Sequence, residues 1–271
     1  MIILYVILSI LIVAFLVYIC CLNGRKGMQD LEKLKRFDFA HRGLHNSERA
    51  ENSLSAFKAA KEKGYGVELD VHILSDGTLA VFHDKLLERV TGKEGKIGDL
   101  NSRDLGNYNL LGSSETIPTF DEVLNLFDNQ VPLIVELKND EGKCAELCEK
   151  VCKRLDNYKA PYCIESFDPR CIMWLKKNRP DIIRGQLVQN FLKNTSGMGK
   201  VLDLILTSLF ANILTKPDFI AVKFSDRKDF PIFIATKLWK IQKAFWTITD
   251  INSQKQTKSE NAISIFEKFI P

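Results

Sequence analysis

GYGVELDVHILSDGTLAVFHD, residues 64–84, is the stretch from which the rest of the chain can be read. VELDV at 67–71 is a short aliphatic run with Glu68 and Asp70 two positions apart. In an extended strand both side chains leave the same face. Ser75, Asp76 and Gly77 form a turn signal, and TLAVFHD (78–84) is a second apolar run directly after it. The spacing predicts a strand carrying two carboxylates on one face, with a small β-hairpin attached to it rather than a further independent unit.

Working outward, seven more runs of the same length and character appear: FDFA (37–40), PLIVEL (132–137), YCIESF (162–167), IRGQLV (183–188), FIAVKF (219–224), AFWTIT (244–249) and AISIF (262–266). Between them lie segments with helical signals. NSLSAFKAAKEKG offers Asn52 or Ser53 as N-cap and Gly64 as a stop, and TFDEVLNLF begins with Thr119 and has Glu122 in the capping-box position. Eight strands alternating with helices over residues 37–271 predict an α/β fold, a (β/α)8 TIM barrel with the hairpin inserted after strand 2. An open doubly wound sheet would show a glycine-rich phosphate turn after its first strand, and only Gly43 stands there.

Ahead of the barrel, MIILYVILSILIVAFLVYICCL (1–22) has no charged side chain and only Ser9 as a clearly polar one. That length suits a single transmembrane helix. A cleavable signal peptide would want a basic start and small residues before the cut, and Tyr18-Ile19 ahead of Cys20 does not suit lipoprotein processing. Arg25, Lys26, Lys33, Lys35 and Arg36 all follow the span, which places the following domain on the cytoplasmic side of the membrane. Residues 23–36 read as a charged tether and 37–271 as the catalytic barrel domain. KVLDLILTSLFANIL (200–214) is too short to span and contains Asp203, so it is expected to be a core-packing barrel helix, with a lid touching the membrane surface as the alternative.

Composition excludes several classes. With 45% hydrophobic and 27% charged residues in 271, the chain is no disordered polymer. Its 38 basic and 34 acidic residues leave +4, much of it just after residue 22, which argues against a nucleic-acid-binding face. The seven cysteines show no zinc-finger spacing. Cys144, Cys148 and Cys152 recur every four residues and are expected on one helix face as small buried side chains. Free thiols agree with a reducing compartment.

The chemistry gathers early in the chain. All four histidines lie between positions 41 and 83. His41 and Arg42 end the first strand, where barrel enzymes place their reactive groups, and His-Arg-Gly suits an anionic substrate. Glu68 and Asp70 would repel unless a cation lies between them, and oxygen donors favour Mg²⁺ or Ca²⁺. Glu136 and Lys138 repeat the i, i+2 spacing, adding a third carboxylate and a cation; taken alone they would be a structural ion pair. His83, on the hairpin, can face His41, so that one imidazole takes a proton from an attacking oxygen and the other protonates a leaving alkoxide. Arg42, Lys138 and the metal would offset phosphoryl charge. His45 and His72 fall in a polar loop and at the trailing end of the strand, with weaker grounds for a direct role.

FAHRG (39–43), EN (51–52), VELDV (67–71), DG (76–77), VFHD (81–84), IPTFDEVL (117–124), VELK (135–138), ESFD (165–168) and FWTITD (245–250), in this order and spacing, resemble the glycerophosphodiester phosphodiesterases. The likeness runs from about residue 37 to the end. It implies metal-dependent hydrolysis of glycerophosphodiesters to glycerol 3-phosphate and an alcohol. By position it implies His41 and His83 as acid and base, Glu68, Asp70 and Glu136 as metal ligands, and Arg42 and Lys138 as phosphate ligands. It also implies Trp246 as an aromatic beside the substrate, and attack by the glycerol hydroxyl next to the ester to give a cyclic phosphate that water opens. The last strand departs from the family pattern, because AISIF is followed by EKFIP without the usual glycine-rich approach or aspartate-containing ending. The short stretch between VFHD and IPTF leaves no room for a large inserted domain, which implies an open pocket.

Three functions are compatible with these residues: hydrolysis of water-soluble head-group diesters, a lysophospholipase D-type activity on membrane lysophospholipids, and an inactive membrane-bound scaffold. The first is the leading reading, and the third is disfavoured because every expected polar position is filled.

Overall fold

A computed structural model describes residues 1–27, 30–195 and 199–271. Among the described residues there are nine strands: β1 (Asp38–His41), β2 (Gly66–Ile73), β3 (Leu79–Val81), β4 (Leu133–Leu137), β5 (Tyr162–Ser166), β6 (Arg184–Val188), β7 (Phe219–Lys223), β8 (Gln242–Ile248) and β9 (Ile263–Phe266). Eight of them close into a parallel barrel in chain order, with β9 pairing back onto β1 through Phe39 and Ile265. β3 lies outside this circle, antiparallel to β2 with Val81 opposite Val71, as the hairpin signal at Ser75 to Gly77 implied. The fold is therefore a TIM barrel. The departure in the final unit does not prevent closure.

Period-two alternation explains both the core and the site. Phe39, Ile134, Cys163, Phe219, Ala244 and Ile263 point inward from six strands and fill the lower barrel, with Leu31 and Leu34 of the short helix Leu31–Leu34 beneath them. Gly66 makes room for the Phe39 ring, since a Cβ there would lie 2.6 Å from it. Two and four residues farther along the same inward face come His41 after Phe39, Glu68 and Asp70 after Gly66, Glu136 after Ile134 and Glu165 after Cys163. The interior thus changes from apolar to ionisable along the strands, and the ionisable groups stand at their C-terminal ends.

The outward faces of the strands pack against the helices in a second apolar layer, including Val67, Leu69, Val71, Leu133 and Val135. Ser53 is the N-cap of helix Leu54–Glu62 and accepts from Ala56 N. Thr119 and Glu122 form the expected capping box on Phe120–Phe127. In Cys144–Leu155 the buried face carries Cys148 and Cys152, with Leu147, Val151 and Leu155. Residues 84–118 make only short helical turns over a small core of their own around Phe82, Leu87 and Ile97.

Residues 200–214 differ from the expected core helix. They form Lys200–Thr207 and the start of Asn212–Thr215. Leu206 and Leu209 are buried, yet Val201 is 74% exposed and Leu204, Phe210 and Leu214 also face outward. A barrel helix buries one stripe, and this segment is apolar on more faces than the barrel covers.

Helix Ile2–Cys21 is long and apolar enough to cross a membrane, which a signal sequence would be too. Its first part stands free of the barrel, and its last turns lie on the barrel's flank. Phe15 stacks on Phe230 with ring centroids 6.2 Å apart, and Tyr18 packs on Phe210 at 5.1 Å. Trp239 Nε1 donates to Ile19 O at 2.7 Å. Arg25 then grips Asp218 through Nε and Nη2, both at 2.6 Å.

Candidate active site

The strand ends surround a cavity of about 380 Å³. His41, Arg42, Glu68, Glu136 and Lys138 form one side, with Glu165 and His83, while Phe167, Leu187, Trp246 and Ile265 supply an apolar wall. Seven of the eight residues singled out from the sequence line this cavity, and the eighth, Asp70, is buried behind its wall. Strand register accounts for the convergence, because His41 is opposite Glu68 in β1 and β2, and Asp70 opposite Glu136 in β2 and β4.

Carboxylate oxygens of Glu68, Asp70 and Glu136 all lie within 4.8 Å of one another, and all three residues are buried. Burial raises Glu68 well above the ordinary carboxylate pKa, reinforced by the charges of Asp70 and Glu136. Burial also acts on Asp70, but the neighbouring Lys138 and Arg42 cations and the Asn52 hydrogen bond outweigh it and hold Asp70 well below. Glu136 is raised by burial, with Lys138 opposing. Lys138 Nζ is 2.6 Å from Glu136 Oε1 and 3.0 Å from Asp70 Oδ1, the ion pair that the i, i+2 spacing suggested. Asp70 Oδ1 nevertheless has no well-directed hydrogen-bond donor among the described residues. Three converging carboxylates, one carrying such an oxygen, fit a hard divalent cation with oxygen ligands.

The two histidines are each held by a carboxylate. His41 Nδ1 is 2.9 Å from Glu267 Oε2, and His83 Nδ1 is 2.5 Å from Asp84 Oδ1. A carboxylate only accepts, so the proton sits on Nδ1 in both rings and Nε2 is left as the basic nitrogen. Burial lowers the His41 pKa to about 4 against the opposing Glu267 hydrogen bond, keeping the ring neutral near pH 7. Asp84 is fixed in turn by Arg89, which also clamps Glu51 at 2.6 Å.

Arg42 has φ +53° and its N–H donates to Glu68 Oε2 at 3.0 Å. Its guanidinium bonds Glu51 Oε1 at 2.8 Å. Gly43 follows at φ +80°, where a Cβ would also strike the Ala56 backbone at 2.9 Å, so the turn that aims Arg42 requires glycine. Trp246 donates Nε1–H to Ala221 O at 3.0 Å and meets Phe167 edge-on at 5.7 Å.

Sequence reasoning missed several supporting groups. Glu267 is the next inward position after Ile263 and Ile265, a parity signal available in the sequence but obscured by the altered ending. Glu165 sits opposite Glu136 in the β4–β5 register and is raised well above its ordinary pKa by burial. Asn52 donates to Asp70 Oδ2 at 2.9 Å from a residue with φ +55°. His72 is buried with Nε2 3.3 Å from the His83 carbonyl, and His45 Nε2 is 3.6 Å from Glu267. Both histidines therefore back His41 and His83 rather than line the cavity.

The model of the glycerophosphoryl diester phosphodiesterase family matches residues 41–217. The chain belongs to that family. It is 31% identical over 166 residues to a glycerophosphodiester phosphodiesterase of Caldanaerobacter subterraneus, covering 58% of this chain and 68% of that protein. It is 26% identical over 246 residues to human glycerophosphodiester phosphodiesterase 1, covering 81% and 74%. Among solved structures, a phosphodiesterase from Oleispira antarctica, in complex with the product sn-glycerol-3-phosphate, aligns with a TM-score of 0.68 at 23% identity over 85% of this chain and 92% of that one. A glycerophosphodiester phosphodiesterase from Thermotoga maritima aligns with a TM-score of 0.64 at 23% identity, over 85% and 94%. The structural likeness carries the fold, and the family match carries the reaction class: the protein is a glycerophosphodiester phosphodiesterase.

Proposed function

We propose that the enzyme cleaves glycerophosphodiesters by a two-histidine mechanism supported by one divalent cation. The observation that carries this reading is the pair of carboxylate-held imidazoles, His41 and His83, in one cavity with the Glu68, Asp70 and Glu136 cluster. Arg42 and Lys138 bind the phosphodiester oxygens, and Trp246 packs against the substrate on the apolar side. One imidazole Nε2 takes the proton of the glycerol hydroxyl next to the ester as that oxygen attacks phosphorus. The other Nε2 protonates the departing alcohol oxygen. The resulting cyclic phosphate is opened by water with the proton transfers reversed, leaving glycerol 3-phosphate. Glu68, Asp70 and Glu136 would hold Mg²⁺ or Ca²⁺, which supplies neutralising positive charge for the phosphoryl oxygens.

Helix Ile2–Cys21 is assigned as the bilayer anchor, with the barrel on the cytoplasmic side as the basic residues after the span suggest. A soluble head-group diester is the leading substrate. A lysophospholipid is the second reading, favoured by the apolar wall of Phe167, Leu187, Trp246 and Ile265. The scaffold alternative is set aside because all of the proposed reactive groups converge on one cavity.

The test is turnover by the purified full-length enzyme of glycerophosphocholine, glycerophosphoethanolamine, glycerophosphoglycerol and lysophosphatidylcholine, each with and without a chelator. Chelator-insensitive turnover would refute the metal assignment, and cleavage of the lysolipid alone would refute the leading substrate.

A further inference from the structure

The ends of the barrel strands provide a vertical scale on which the N-terminal helix can be placed. Reactive groups mark the C-terminal ends, and Pro217 and Asp218, which lead into β7, mark the opposite end. The helix and the turn after it descend this scale step by step. Phe15 meets Phe230, in the segment leaving β7. Tyr18 Oη donates to Ser208 O at 3.0 Å, Asn212 donates to Leu22 O at 3.3 Å, and Arg25 N donates to Pro217 O at 2.9 Å. Phe230 itself is at the level of the mouth, because the adjacent Asp229 accepts from Asn190 at 2.7 Å just beyond the end of β6.

Phe15 is therefore level with the catalytic rim, and the residues before it project past the rim on the mouth side. At 1.5 Å per residue this free stretch is about 20 Å long, against about 30 Å for the hydrocarbon core. The helix meets that thickness when its packed turns, and the rim beside them, also enter the membrane boundary. The rim is built for such contact: Val201 is 74% exposed, Leu192 61%, Phe233 54% and Phe230 50%. Trp246 and Phe167 meet at 5.7 Å in the cavity wall, and Phe167 meets the buried Phe191 at 5.9 Å, next to the exposed Leu192 of the rim.

We infer that the catalytic mouth faces the bilayer, with this apolar rim seated in it. That orientation gives the second substrate reading its route: a glycerophosphodiester bearing a single acyl chain enters from the leaflet with the chain along Trp246 and Phe167, beside the soluble diesters that the same site cleaves. This rests on the anchor and reaction readings above and adds the direction of access. The chemistry sets the chain number, because attack needs a free hydroxyl beside the phosphodiester, which a diacyl phospholipid lacks.

Full-length enzyme in phosphatidylcholine vesicles tests the orientation and the route separately. Val201→Trp, in vesicles containing brominated phosphatidylcholine, is expected to show quenched fluorescence beyond that of the unsubstituted protein; no added quenching overturns the orientation. Leu192→Asp with Val201→Asp is expected to lower turnover of vesicle-borne lysophosphatidylcholine at least tenfold while leaving glycerophosphocholine within twofold. Equal effects on both substrates, or none, overturn the route. If the unsubstituted protein cleaves neither, the reaction reading and the route fall, and quenching still decides which way the mouth faces.

Discussion

Adding a divalent cation to the metal-free enzyme should stabilise it, with a pH dependence set by the buried carboxylates and a size set by mass action. Glu68, Asp70 and Glu136 are buried within 4.8 Å of one another. Arg42 and Lys138 are the cations closest to them. Without a divalent ion, part of the excess negative charge is relieved by protonation, which is why burial raises Glu68. A raised acid keeps its proton in the folded state at pH values where the unfolded chain has lost it. Stability should then fall as pH rises from the ordinary value, about 4.3, toward the raised one. A cation needs the ionised carboxylates, so its affinity should rise with pH across the same interval and cancel the fall. At a hundredfold excess over Kd the gain is about 2.7 kcal/mol. For a domain of this size, at roughly 2–4 °C per kcal/mol, the melting temperature should rise by about 5–10 °C. The assay is thermal unfolding of the full-length protein in detergent, from pH 5 to 8, with chelator, Mg²⁺ or Ca²⁺, beside Asp70→Asn. The substitution should remove most of the shift. An unchanged melting temperature with both ions at pH 8, or an equal shift in Asp70→Asn, would refute the three-carboxylate site.

Other outcomes follow from single contacts. Glu267→Ala removes the acceptor 2.9 Å from His41 Nδ1, and the loss of a charge-assisted hydrogen bond, about 1.5–3 kcal/mol, should lower kcat about 10–100-fold with little change in KM. Glu267→Asp should recover part of the loss, and a kcat unchanged in the alanine variant would remove Glu267 from the machinery. His41→Ala and His83→Ala should each reduce kcat by about 10²–10⁴ with the protein still folded by circular dichroism; full activity in either variant would contradict the acid/base pair. Arg25→Ala leaves the buried Asp218 without its guanidinium partner and should lower stability by about 1.5–3 kcal/mol in denaturant melts, with less than a twofold effect on kcat for glycerophosphocholine.

The eight apolar runs were legible because period-two patterning depends on neighbours in sequence, and each became a barrel strand. The Glu68/Asp70 and Glu136/Lys138 pairs were legible for the same reason. The partner of His41 was not, since Glu267 lies 226 residues away and meets it only when β9 pairs with β1. Nor was the exposure of residues 200–214 legible, because an apolar segment does not announce which of its faces the barrel will cover.

Local spacing by itself therefore determined the strands, the hairpin, the apolar N-terminal helix and the residues proposed as carriers of the chemistry. Barrel closure decided which of those carriers share a cavity, which carboxylates hold the two imidazoles, and how far along the barrel's flank the N-terminal helix runs. These are distances between residues remote in the chain, and they exist only once the core has packed and set the strand register.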